Sequence, residues 1–265
     1  MPDIDINGWR IDYGDEGEGP PIVLIHGLLM DSTMFDPQVA ALSDRYRVIT
    51  PDLRNHGASE SRAEPFTQWD LMEDSIALCD RLGVETAVFG GVSQGGFQSL
   101  RAALRHPDRV SGLILIETQA GSEDPGKAPI YESMAEVVAA DGWNDFILDS
   151  VAALLFGAST SDDLKKHWIE RWRKLEPTHA LATLKAVTRR EDITDRLGEI
   201  TAPAIVIHGE EDVAIEMERA QILADGLVNL IDFVKIPAAG HTSTVEQPAA
   251  VNEAIETFLA KAYAL

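Results

Sequence analysis

Cysteine is almost absent from this 265-residue chain; Cys79 is the single example, so no internal disulfide can form. It falls on one helical face with Met72 and Ile76, which predicts a buried structural thiol. Basic residues are scarce as well. There are 22 Lys and Arg against 44 Asp and Glu, a formal net charge of −22. Such a surface repels nucleic acid and anionic membranes, so neither is expected as a partner, and a highly anionic substrate is disfavoured. Long apolar runs are missing too, with nothing near the ~18–20 residues that cross a bilayer. The opening Met1-Pro2-Asp3-Ile4-Asp5 has no basic region and no apolar core, so no signal peptide is expected and a cytoplasmic home follows by default. His-Glu-x-x-His, Cys/His clusters and glycine-rich dinucleotide or phosphate loops are all lacking, which predicts no metal and no cofactor. Internal repeats and low-complexity tracts are absent.

What is present is an ordinary globular composition, 45% hydrophobic and 25% charged. The length suits one large domain with an insertion. Short β-branched runs alternate with helical patterns, the signature of βαβ units and a parallel sheet. Ile4–Ile6 and Trp9–Tyr13 read as an antiparallel pair turned at Asn7-Gly8. Further strands are expected at Ile22–Ile25, Tyr46–Thr50, Val84–Gly90, Val110–Glu117, Ala204–His208 and Ile231–Ile236. Helices are expected from Asp36-Pro37 through Leu42, from Thr67 to Leu82, from the residues after Ser93 to Arg105, around Glu218–Ala224, and from Pro248 onward. Between about Thr118 and Arg196 the alternation stops, and only loops and helical segments are visible. That stretch reads as a helical lid inserted between two late strands, giving a core of residues 1–117 and 197–265 and a lid of 118–196. Its Trp143, Phe146, Leu154, Phe156 and Trp168 suggest an apolar pocket; the plainer alternative is the core face of covering helices.

Gly91-Val92-Ser93-Gln94-Gly95 carries the chemistry. It is Gly-x-Ser-x-Gly between a strand and a helix, a turn sharp enough to strain the central residue. The flanking glycines clear space, and the serine hydroxyl stands beside a helix N-terminus whose N–H groups face an incoming oxyanion. A serine hydroxyl near neutral pH needs a base. Of seven histidines, His241 follows the last expected strand and so shares the carboxyl edge of the sheet with Ser93. Asp212, after the penultimate strand, is the expected acid, in the chain order Ser93, Asp212, His241. Glu117 and Glu211 are the competing carboxylates. The oxyanion donors are expected to be the backbone N–H of Gln94 and that of Leu28, in the turn His26-Gly27-Leu28-Leu29.

These residues resemble the α/β-hydrolase fold superfamily. The resemblance is carried by His26-Gly27-Leu28, the Pro51–Ser59 segment Pro-Asp-Leu-Arg-Asn-His-Gly-Ala-Ser, the turn around Ser93, Gly209 to Asp212, and Gly240-His241. It implies a mostly parallel eight-stranded sheet flanked by helices. Asn55 stands where that pattern usually has glycine, and asparagine tolerates the left-handed backbone the turn needs. Met34–Leu42 is similar to the serine esterase and enol-lactonase branch. The implied activity is hydrolysis of small to medium apolar carboxylic esters or lactones through an acyl-enzyme. Amide or lactam hydrolysis, C–C bond hydrolysis and cofactor-free perhydrolysis use the same triad and stay open. A reading of another class is a non-catalytic small-molecule receptor on this fold.

Overall fold

The computed structural model describes residues 2–263, so residues 1, 264 and 265 at the ends of the two expected core segments lie outside it. The opening hairpin pairs β1 (Asp3–Ile6) with β2 (Trp9–Glu16), turned at Asn7 and Gly8, both at positive φ. The sheet continues with β3 (Pro21–Ile25), β4 (Arg47–Pro51), β5 (Ala87–Val92), β6 (Val110–Ile116), β7 (Ala204–Gly209) and β8 (Leu230–Ile236). Its order is β1-β2-β4-β3-β5-β6-β7-β8, with the β1–β2 and β2–β4 pairs antiparallel and every pair from β4–β3 onward parallel. That is the mostly parallel eight-stranded sheet expected.

Buried parallel strands must be apolar on both faces, and their alternation divides the core in two. Val23, Ile25, Phe89, Leu113, Leu115 and Val206 point to one side. There they meet α2 (Gln68–Arg81), α3 (Gln94–Arg105) and α8 (Met217–Gly226). Cys79 is buried on that side with Met72 and Ile76, and burial pushes its thiol pKa up to about 12. Ile22, Leu24, Val88, Ile114, Ile116 and Ile207 point the other way, onto α1 (Asp36–Leu42) and α10 (Pro248–Ala262). Thr67 opens α2 through a reciprocal capping box with Asp70, which satisfies N–H groups the helix itself leaves unpaired.

Several boundaries shift from the expectation, β2 running on to Glu16 and β6 ending at Ile116 among them, and two of the shifts have a plain local cause. Val84 belongs to the turn that closes α2, its N–H bonded to Cys79 O, so β5 begins at Ala87. Asp36 is the first residue of α1 rather than its cap, because a 3-10 turn over Ser32–Phe35, capped by Asp31, precedes it.

Between β6 and β7 come α4 (Ala128–Asp141), α5 (Asp145–Leu155), α6 (Asp162–Trp172) and α7 (Ala180–Thr188), with no strand among them. Leu148, Ala152 and Leu155 of α5 and Trp168 and Trp172 of α6 join the same apolar cluster as α1 and α10. A four-residue helix, α9 (Ser243–Glu246), precedes α10. No helix among the described residues is long and apolar enough to cross a membrane.

Candidate active site

Ser93 sits between β5 and α3 at φ 55 and ψ −112, a left-handed backbone that a residue with a Cβ adopts only when its surroundings impose it. Here they do. The Ser93 N–H donates to Ile116 O at 2.9 Å, and its carbonyl accepts from Phe97 N–H and Thr118 Oγ1. The glycines are needed for space: a Cβ on Gly95 would stand 1.9 Å from Ile25 O, and one on Gly91 2.4 Å from the same oxygen.

The turn after β3 is equally constrained. Met30 N–H bonds Gly27 O at 3.1 Å, and Leu29 is forced to φ 64. His26 holds this turn from below. Leu53 N–H donates to its Nε2 at 2.9 Å, so the ring proton belongs on Nδ1, which donates to Gly27 O at 2.8 Å. His56 stacks on His26 with ring centroids 4.8 Å apart, and its Nε2 lies 3.5 Å from the Gln94 amide. Burial, then His26, drive the His56 pKa down to about 3, so this imidazole is a neutral prop. His56 belongs to the Pro51–Ser59 segment that carries the resemblance, but the sequence assigned it no role. Asn55 adopts φ 65, the conformation its turn requires.

His241 lies in the loop after β8, and its backbone N–H is fixed to Leu155 O at the end of α5. Its Nδ1 is 2.8 Å from Asp212 Oδ2. Asp212 is in turn oriented by the N–H groups of Ala214 and Ile215, both on Oδ1. Burial pushes the Asp212 carboxyl up, but the His241 imidazole beside it, that hydrogen bond, His208 and the Ile215 N–H outweigh it and hold it below the usual range. Of the competing carboxylates, Glu117 bonds Gly209 N–H, and Glu211 bonds Ala158 N–H. Asp212 is thus the one of the three that touches His241.

Ser93, His241, Gly27, Leu28 and Met30 all line one cavity of about 310 Å³. Its far wall comes from the inserted helices in helical stripes: Tyr131, Met134, Ala135 and Val138 of α4, then Ile147, Val151 and Leu154 of α5, and Ala180, Leu184 and Val187 near and on α7. The lining is aliphatic and aromatic apart from Ser93, Glu123, Ser150, His241 and Thr242, and includes no Lys or Arg. Glu123 is committed to Arg190 at 2.9 Å.

Three of the aromatics expected at the pocket are elsewhere. Trp143 lines it, its indole N–H bonded to Leu175 O. Phe146 does not; it is 79% exposed, because the phase of α5 turns Ile147, Val151 and Leu154 inward instead. Trp168 and Phe156 are core residues, Phe156 stacked on Trp172 at 6.0 Å, since α6 packs behind α5 and gives no residue to the cavity. Leu154, also expected there, does line the cavity, and helical spacing from it points to its stripe partners Ile147 and Val151.

Glu117, His208 and Asp212 each place one ligand-type atom within 4.8 Å of the others, a triplet the linear spacing does not disclose. Asp212 Oδ2 is engaged by His241 at 2.8 Å, and His208 Nε2 by Ile215 O at 2.9 Å.

The alpha/beta hydrolase fold family model matches residues 20–248. The chain belongs to the alpha/beta hydrolase fold family. This hydrolase is 28% identical over 253 residues to 3-oxoadipate enol-lactonase 2 of Acinetobacter baylyi, covering 94% of this chain and 92% of that one. A thermophilic esterase from Thermogutta terrifontis superimposes with a TM-score of 0.90 at 31% identity, covering 99% of both chains. The enol-lactonase from Burkholderia xenovorans LB400 superimposes with a TM-score of 0.90 at 28% identity, covering 98% of this chain and 100% of that one.

Proposed function

We propose that this hydrolase cleaves carboxylic esters or lactones with neutral, apolar acyl groups through an acyl-enzyme on Ser93. The observation that carries this reading is the shared cavity: Ser93, at a strained turn, faces the same space as His241, whose other nitrogen holds Asp212 at 2.8 Å. Ser93 Oγ attacks the carbonyl carbon while His241 Nε2 takes its proton. Asp212 fixes the tautomer that leaves Nε2 free, and balances the imidazolium that forms. The oxyanion accepts from the N–H groups of Leu28 and Gln94, each worth about 3–4 kcal/mol in the transition state. His241 then protonates the leaving alkoxide; in a second round it activates water, which releases the acid and restores Ser93.

The segment 118–196 acts as the cap that shapes the acyl pocket, and 1–117 with 197–265 as the catalytic core. An aliphatic lining without a cation supports a neutral acyl group, because a free carboxylate there would lose its hydration unpaired. Enol-lactonase and esterase relatives support the ester and lactone class. The test is the burst of leaving group from an activated p-nitrophenyl ester. Wild type gives a burst matching enzyme concentration followed by turnover, and Ser93→Ala gives neither. A burst that survives Ser93→Ala overturns the reading.

A further inference from the structure

Behind Asp212, where β6 ends beside the turn after β7, lie two groups the serine mechanism leaves unused. Glu117 is 0% exposed and sits at φ 46; it is the one glutamate among the described residues in the buried class. His208 is fully buried beside it, with Nδ1 3.3 Å from Glu117 Oε2 and Nε2 3.5 Å from Asp212 Oδ2.

Hydrogen-bond accounting locates the proton. The Ile215 carbonyl, 2.9 Å from His208 Nε2, can only accept, so Nε2 carries the hydrogen. In a neutral imidazole Nδ1 is then a bare acceptor, facing an oxygen of Glu117. Two acceptors face to face in a dry interior repel, and a proton on the carboxyl removes the conflict. The other arrangement, an imidazolium between two carboxylates, would separate charge where no water reaches. Apart from the Gly209 N–H, 2.8 and 3.0 Å from the two Glu117 oxygens, and the Ser243 hydroxyl, the groups against this carboxyl are the neutral His208 imidazole and the Asp212 carboxylate, neither of which favours an ionised Glu117.

We propose that Glu117 is a neutral carboxylic acid that donates its O–H to His208 Nδ1 and accepts the Gly209 N–H. It is a positioning residue. It clamps the turn that presents Asp212 to His241 and adds no second negative charge behind the imidazole. The proposal rests on the serine triad reading for its consequence, though not for its geometry. Burial, then the Asp212 charge, hold the Glu117 carboxyl well above its ordinary range, and burial likewise lowers His208. The groups facing Glu117 are Asp212 and His208 from β7 and its turn, and the Ser243 hydroxyl of α9, with His241 beyond Asp212.

The experiment has two arms. Wild-type protein carrying carboxyl-13C glutamate should show, at neutral pH, an infrared C=O band of a protonated acid that moves with the label; glutamates that are all ionised overturn the proposal. In the second arm, Glu117→Leu should lower kcat about 10- to 100-fold with little change in KM, because Asp212 is no longer clamped. Glu117→Gln, whose amide repeats both hydrogen bonds, should restore most of that loss and leave the acid limb of the kcat/KM profile in place. An acid limb displaced downward by about one unit or more would reveal a lost negative charge and overturn the proposal. Should Glu117→Gln not fold, the infrared band on wild type decides alone. Failure of the Ser93 burst would remove the triad reading without touching that band, so the two outcomes are separable.

Discussion

The carboxyl edge of the sheet and the helices α4 to α7 face each other across one cavity and are built on opposite principles. At the sheet edge, position is imposed at conformational cost. Leu29, Ser93, Glu117 and Ala238 all take positive φ there, and Ser93, Asp212 and His241, the candidate catalytic residues, are each tied by named hydrogen bonds. A non-glycine residue in that region costs about 1–3 kcal/mol, sustained only where the surroundings over-determine it. Across the cavity α4, α5 and α7 contribute side chains at ordinary helical spacing and almost no polar contact to the interior. One wall is specified by hydrogen bonds and the other by shape. Substitutions at the first should therefore damage the rate for every substrate, and those at the second should change which substrate is favoured.

The strongest attack on that contrast is Asp212→Asn. Its amide presents N–H to His241 Nδ1, stabilises the wrong tautomer, and leaves Nε2 unable to take the Ser93 proton. A loss of about 10⁴-fold in kcat is expected, equal across ester chain lengths. Retention of more than a tenth of the activity would mean another carboxylate serves His241. Next in size is Val138→Phe on α4, which fills part of the far wall. It should lower kcat/KM for long-chain esters about 10- to 100-fold relative to acetate esters, while the acetate rate barely moves. A uniform loss across chain lengths would show that α4 sets catalytic geometry as well as shape.

The same contrast explains what the sequence disclosed. Strands and helices of the sheet layers were legible because β-branched runs and turn residues agree locally with the fold. Ser93, Asp212 and His241 were legible because turns with one job carry restricted residue types: glycine where a Cβ would strike Ile25 O, histidine and aspartate after strand ends. The inserted helices obey only the requirement of an apolar stripe, which many residues satisfy, so Phe146, Phe156 and Trp168 were mistaken for lining while Tyr131, Met134 and Leu184 passed unnoticed. The pairings Glu117 with His208 and His56 with Gln94 span 91 and 38 positions, and distance along the chain conceals them.

The smallest expected effect is the sharpest test of the far wall. Phe146 is the second residue of α5, 79% exposed, and does not line the cavity as Ile147 and Leu154 do. Serine is well tolerated in a first helical turn, and the substitution removes apolar surface that water already covers. Phe146→Ser should therefore change stability by no more than about 0.5 kcal/mol in a denaturant melt and leave kcat/KM within about twofold for short and long esters alike. A selective loss with long esters would mean that the outer face of α5 meets substrate during turnover. Helix α5 would then have to move, and the proposed division between a wall that reacts and a wall that only shapes would have to be redrawn around that motion.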